Sequence, residues 1–440
     1  MKVIPVLCRL GLAWPVAWML QRTIEPLNQS APDGKRILAI QKAVFNEDVR
    51  EVFRNSAEFT VFGLKRAQVK AMALAFLPKA ICDDASYVTD DPEAEAAKLR
   101  YRAFCGRVWR HLASMGGYQA IITGNWCYWA ERELAAAMEL QDAPFLVLHK
   151  EGIKPPERSK MLRDIFRRTR GRFSGRRVFV YQESERDHQI EGQIADAGQI
   201  RVVGMPRMDR WHELRRQVAK SKVDGHSDRP TLLFLAFLEN NFLPSYSGVD
   251  SDLAWRDLTD GCTQAIFAVA RARPEADIIV RPRVQEVSEV EAILARGGDR
   301  PPNVRIVPEG EISPLLISAN VVCGHNTTVL FEGLALGKPV VMPAFGEVLD
   351  PRYQGYIVNP GPSVESAVSV QDLTDRLIRH LDQNTAPAED LTSQTRDSLA
   401  FWTGNPDGQS VQRVLKEIRA ELTAARVQHS QIHNQKATKP

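Results

Sequence analysis

Several strong functional signatures are missing from this 440-residue chain. It has no Walker-type phosphate loop and no Gly-x-Gly-x-x-Gly fingerprint, so P-loop and dinucleotide chemistry lose their usual support. The six cysteines (Cys8, Cys82, Cys105, Cys127, Cys262, Cys323) show no Cys-x-x-Cys or Cys/His spacing. Neither a zinc site nor a disulfide framework is expected from them, and a reducing, cytoplasmic setting fits. No Asp-x-Asp pair stands at a strand end, so no metal is expected. There is no low-complexity region and no repeat. A net charge of +3 is small for this length, so any charged partner must be read from local clusters. Long apolar runs are also lacking. Residues 10–20, with Trp14 and Trp18, are too few to span a bilayer, and Arg9, Pro5 and Pro15 interrupt them. Two readings remain for this amphipathic segment: packing on the first domain, which is favoured, or lying on a membrane surface.

What is present is a regular alternation of strand and helix. The most informative stretch is residues 321–342, which reads as strand, turn, helix, stop and strand. Val321, Val322 and Cys323 suit a buried strand, and Gly324 permits a sharp turn. Asn326 or Thr327 can cap the helix that follows; Gly337 then ends it and Pro339 prevents its continuation. Such a turn aims N–H groups and small hydroxyls from the carboxyl edge of a parallel sheet, where α/β proteins bind phosphates.

Upstream strands are expected at residues 36–40, 58–64, 120–123, 145–148, 178–181 and 200–203. A second set is expected at 231–235, 277–280, 304–307, 321–323 and 340–342, after a polar stretch at 220–229 (Lys-Ser-Lys-Val-Asp-Gly-His-Ser-Asp-Arg around Lys220). The pattern predicts an α/β fold of two Rossmann-like parallel-sheet domains facing across a cleft. The expected division is an amphipathic segment at 1–34, an acceptor domain at 35–219, a linker at 220–229 and a nucleotide-donor domain at 230–390. Helices at 391–426 and a disordered tail at 427–440 complete it.

The run from His325 to Val341 resembles a segment of GT-B glycosyltransferases, particularly bacterial surface-polysaccharide enzymes of the CDP-glycerol glycerophosphotransferase-like and capsule-synthesis groups. Gly204-Met205-Pro206-Arg207-Met208-Asp209, Ile278-Ile279-Val280-Arg281-Pro282-Arg283 and Asp407-Gly408-Gln409-Ser410 agree with it, in the expected order from about residue 145. The resemblance implies that Asn326, Thr327 and Thr328 hold the donor nucleotide, with a Ser410 contact; simple helix capping is the alternative. Similar enzymes often carry a His-Pro pair where this chain has Arg281-Pro282. Arg281 and Arg283 would then offer fixed charge to phosphate, unless they pair with Glu286 or Glu289. Glu332, one turn beyond Thr328, is placed to accept from ribose or sugar hydroxyls. Retaining relatives often have two glutamates eight positions apart here. Gly324 and Val340 occupy those positions, which favours inversion.

Inversion needs a base on the acceptor side. Glu151 is the candidate, in His149-Lys150-Glu151-Gly152 after a buried strand; sialyl- and Kdo-transferase-like proteins are similar in having an acid before a glycine there. His149 is second, and a structural role is open for both. Residues 150–177 hold eleven Lys or Arg against three acids. Lys154, Arg158, Arg167 and Arg168 could face an anionic membrane surface or a lipid-linked phosphate acceptor, or form a solvated face; no nucleic-acid motif accompanies them.

The expectation is an inverting GT-B transferase, cytoplasmic or peripheral on the inner membrane face. It would move a sugar or polyol phosphate from a nucleotide-activated donor, a substrate rather than a cofactor, to a polysaccharide or lipid-linked acceptor. A sugar-nucleotide epimerase of the same fold and a non-catalytic nucleotide-sugar-binding subunit are the rivals.

Overall fold

Short aliphatic runs separated by helices build two sheets, seen in a computed structural model that describes residues 3–29, 34–221, 229–247, 250–383 and 389–437. The chain divides into two units: Met1–Gly152 with Leu162–Asp209 and Gln409–Pro440, and Ile153–Met161 with Arg210–Gly408.

The first unit holds β1 (Glu25–Pro26), β2 (Lys35–Gln41), β3 (Phe59–Lys65), β4 (Tyr118–Thr123), β5 (Phe145–Leu148), β6 (Arg177–Val180) and β7 (Ile200–Val202). Their spatial order is β1-β3-β2-β4-β5-β6-β7. β2 to β7 are parallel, and β1 adds an antiparallel edge through Glu25 opposite Gly63. Strand alternation divides the apolar side chains between two faces. Ile37, Ala39, Ile122 and Leu148 enter one core with Phe45, Val49, Val414 and Ile418, while Leu38, Ile40, Ile121 and Val147 enter the other with Val16, Leu20 and Tyr101. Strand order reverses between β2 and β4, which marks a switch point at their carboxyl ends.

The second unit holds β8 (Thr231–Leu235), β9 (Asp277–Arg281), β10 (Val304–Ile306), β11 (Val321–Gly324), β12 (Val340–Pro343) and β13 (Glu365–Ala367). All are parallel, in the order β10-β9-β8-β11-β12-β13. In chain order that is 3-2-1-4-5-6, the doubly wound arrangement of two mononucleotide-binding halves, with its switch point between β8 and β11. Gly324 sits at that point because a Cβ there would come within 2.9 Å of the Leu235 Cβ.

Three differences from the sequence reading have local causes. β1 and β13 escape a propensity search because Glu-Pro and Glu-Ser-Ala are poor strand formers placed by their neighbours. The amphipathic segment forms two helices, Val3–Arg9 and Ala13–Gln21, because Pro5 and Pro15 both fall in a first turn, where proline is tolerated. The final helix runs Ser410–Ala437 over residues expected to be disordered, since neither Gly nor Pro interrupts it, and it joins the first unit rather than standing apart. Most of the expected linker (222–228) and residues 438–440 lie outside the described residues.

Candidate functional site

At the switch point of the second unit the chain leaves β11 through Gly324 and turns at Asn326, whose φ of 51° is left-handed. Asparagine adopts that conformation more readily than other side chains. The Asn326 Nδ2 donates to the Tyr356 carbonyl at 2.9 Å, and its Oδ1 accepts from the Val358 N–H at 2.8 Å. Its own carbonyl accepts from Asn241 Nδ2 at 3.2 Å. Both ends of the side-chain amide thus pin the turn to residues 356–358. Thr327 Oγ1 accepts from the Val329 N–H at 3.4 Å, and Thr328 precedes the helix Val329–Leu336 without a side-chain cap. Both threonines are half-buried, and that helix end carries the partial positive charge of its dipole. Gly337, at φ 78°, ends the helix, and Glu332 is buried within it.

Sequence reasoning passed over His325. It is fully buried, and neither ring nitrogen has a hydrogen-bond partner among the described residues. Its ring lies 5.3 Å from that of Phe237 and 4.9 Å from that of Trp255, whose Nε1 donates to the Asn241 carbonyl at 2.8 Å. Burial lowers its pKa from 6.5 to about 3, so the imidazole is neutral. Two unmatched polar atoms at a switch point are costly to folding, on the order of 1–3 kcal/mol each, and are the kind of defect that a ligand site retains. The only prior signal was its place between a buried strand and a small-residue turn.

Arg281 and Arg283 follow the expected strand but already hold protein partners. The Arg281 guanidinium donates to the carbonyls of Val307 (2.7 Å), Glu309 (2.6 Å) and Gly310 (2.6 Å). It ties the segment after β10 in place, and its burial lowers its pKa. Arg283 forms the alternative ion pair with Glu286 at 2.9 Å. The other candidate donor residues fall in the second unit, while Ser410 falls in the first. There Asp209 accepts from the N–H groups of Ser410 (3.0 Å) and Val411 (2.8 Å), capping the last helix, while Ser410 Oγ accepts from Arg413 at 3.1 Å.

The carboxyl edge of the first sheet gathers a second titratable group. Glu151 follows β5, is half exposed on its side chain, and pairs with Lys150. His149 is buried, with Nε2 at 3.1 Å from the Glu185 carboxylate. Beside them, Tyr128 is flanked by the Lys42 ammonium at 4.2 Å and the Arg66 guanidinium at 4.0 Å from its ring centre. Its buried hydroxyl has no partner among the described residues. Burial lowers the Lys42 pKa, and the nearby charges of Lys150 and Arg66 lower it further against Glu151 and Asp84. Glu131, wholly buried, accepts from Thr123 at 2.5 Å and Arg66 at 2.8 Å. Burial outweighs those bonds and raises its pKa to about 7. Nothing in the sequence marks Glu131, because its partners are distant: Thr123 ends β4 and Arg66 opens the helix Arg66–Ala73.

Of the basic stretch, Lys154 precedes the helix Pro156–Thr169, and Arg158, Arg167 and Arg168 lie on it; Arg158 is 5.8 Å from the Phe242 ring centre. Arg167 donates to the Glu191 carbonyl at 2.6 Å and Arg168 to that of Asp164 at 3.3 Å.

Two Rossmann-like sheets in one chain define a GT-B-like fold, and solved structures share it. A putative UDP-N-acetylglucosamine 2-epimerase from Listeria monocytogenes is 12% identical, with 89% of this chain and 97% of that chain covered at a TM-score of 0.50. The UDP-GlcNAc 2-epimerase of Neisseria meningitidis bound to UDP-GlcNAc is 11% identical (88% and 100% covered, TM-score 0.47). The UDP-forming α,α-trehalose-phosphate synthase of Burkholderia vietnamiensis is 12% identical (89% and 100% covered, TM-score 0.45). At such identities the likeness is one of fold. No protein-family profile and no curated protein matches the chain.

Proposed function

We propose that this protein is an enzyme acting on a nucleotide-activated sugar or polyol phosphate, and that it is an inverting GT-B transferase of surface-polysaccharide synthesis. The observation that carries the reading is the second unit's switch point, where a pinned turn, a helix N-terminus and the buried neutral His325 converge. The donor's phosphates would lie on the N–H groups and hydroxyls at Thr327 and Thr328, with Glu332 turned to a sugar or ribose hydroxyl. Arg281 and Arg283 would act mainly by shaping this edge. His325 would add an uncharged hydrogen-bonding group, leaving the phosphate charge for the helix end.

With a sugar donor, Glu151 would take the proton from an acceptor hydroxyl as the hydroxyl oxygen attacks the anomeric carbon. The bond from that carbon to the phosphate oxygen breaks, and the nucleotide leaves with the electron pair. The acceptor would be a polysaccharide or lipid-linked hydroxyl. His149, held by Glu185, would orient the segment that carries Glu151.

The second reading is the sugar-nucleotide epimerase of the same fold, in which Glu131, buried with its pKa raised to about 7, would be the candidate acid or base once reached by substrate. Incubation with UDP-, CMP-, CDP- and GDP-linked donors separates the two. Free nucleotide released only when acceptor is added supports transfer, and conversion of the donor sugar without acceptor supports epimerisation. If Glu151→Gln retains full turnover with the fold intact, Glu151 is not the base.

A further inference from the structure

The helices Val3–Arg9 and Ala13–Gln21 are apolar on both sides. Their inner sides, including Ile4, Cys8, Val16 and Leu20, are buried in the first unit's core. Their outer sides should carry charge if they faced water alone. Instead Val3 is 54% exposed, Val6 52%, Leu10 66%, Trp14 52% and Trp18 40%. Val3, Val6 and Leu10 recur at helical spacing, as do Trp14 and Trp18, so each helix presents a stripe turned away from the same core. Gly11, at φ 71°, turns the chain between them with open space around it.

The charge pattern identifies what covers this face. Residues 1–24 contain no Asp or Glu, while Lys2, Arg9 and Arg22 are present. The Arg22 guanidinium lies 4.1 Å from the Trp18 ring centre. Two-fold contact with another copy would set these like charges against each other. An anionic lipid surface matches the pattern, because tryptophan favours the headgroup depth and arginine pairs with lipid phosphate. No helix among the described residues is long and apolar enough to cross a membrane. The basic stretch at 150–177 is a weaker candidate: Arg163 pairs with Glu191, Arg176 with Glu139 and Arg177 with Glu421.

We propose that the outer face of residues 3–22 docks the protein on an anionic membrane surface, with Trp14 and Trp18 lying in the headgroup layer without crossing it. The test is flotation of the full chain with phosphatidylcholine vesicles, alone or with about one third phosphatidylglycerol. Tryptophan quenching by brominated lipid is read alongside. The expected result is flotation and quenching with the anionic vesicles. Trp14→Ser with Trp18→Ser should weaken binding by about tenfold or more. That double variant should still unfold in one cooperative urea transition, its stability loss limited because the two rings are already 52% and 40% exposed. Arg9→Ser with Arg22→Ser should weaken binding to the anionic vesicles alone. Absence of flotation with either vesicle overturns the proposal, as does binding that the tryptophan changes leave intact. Self-association abolished by those changes, without flotation, assigns the face to a second copy and also overturns it.

Discussion

Replacing His325 by phenylalanine tests whether the buried imbalance at the second switch point is real. The imidazole is enclosed by Phe237 and Trp255 and held neutral, its pKa lowered by burial from 6.5 to about 3. A lowered folded-state pKa contributes stability that is present above 6.5 and lost as pH falls toward 3, because only the unfolded chain takes up the proton. Each pH unit below 6.5 costs about 1.4 kcal/mol, so moving from about pH 7.5 to about pH 5 should cost this site about 2 kcal/mol. His325→Phe removes that term. A packing penalty for the larger ring is the same at both pH values and cancels in the comparison. The assay is urea unfolding of both proteins at the two pH values. The variant should gain about 2 kcal/mol on the parent at the acidic one. A difference that does not change with pH would show that the native imidazole takes up protons freely, and the account of a sealed neutral histidine would fail. The same variant should weaken nucleotide-donor binding, read by titration calorimetry at neutral pH.

Three other outcomes follow from particular bonds. Glu131→Gln should remove the opposite dependence: a raised pKa gives stability that is full below 4.5 and lost as pH rises through about 7. Its unfolding free energy relative to the parent should therefore rise by roughly 2–3 kcal/mol between about pH 5 and pH 8. Asn326→Ala loses both amide bonds at a left-handed backbone and should cost about 2–4 kcal/mol in urea unfolding, with Asn326→Gly recovering only the backbone share. Arg281→Met strips three carbonyls of their donor and should lower the melting temperature, while donor affinity measured well below it falls less than about threefold. A large affinity loss with unchanged stability would restore Arg281 as a direct phosphate ligand.

The parts of this fold that could be read from the sequence are those whose signal is local. Val321, Val322 and Cys323 mark a buried strand by composition, and Gly337 and Pro339 mark the end of the next helix by backbone chemistry. The alternation of such segments suffices for two parallel sheets. Strand order cannot be read this way, since it depends on which edges meet. For that reason β1 and the reversal between β2 and β4 were out of reach. The site divides similarly. The turn at 324–328 was legible, but the role of Asn326 was not, because its partners Tyr356 and Val358 lie some thirty residues on. Glu131 and Tyr128 matter through Lys42, Arg66 and Thr123, which only the folded sheet brings together.

The last helix has a consequence for how the protein is made. Val414, Ile418 and Leu422 fill one face of the first sheet, and Glu421 and Arg419 pair with Arg177 and Glu58. During synthesis the first unit's earlier segments therefore wait for the helix Ser410–Ala437 to cover their core. The second unit, complete by Gly408, has all its parts earlier. Completion of the second unit before the first is the order of synthesis expected from this division. A chain cut after Gly408 would leave Phe45, Val49 and Phe53 without their cover. It should accumulate as a species with a native second half and an aggregation-prone first half.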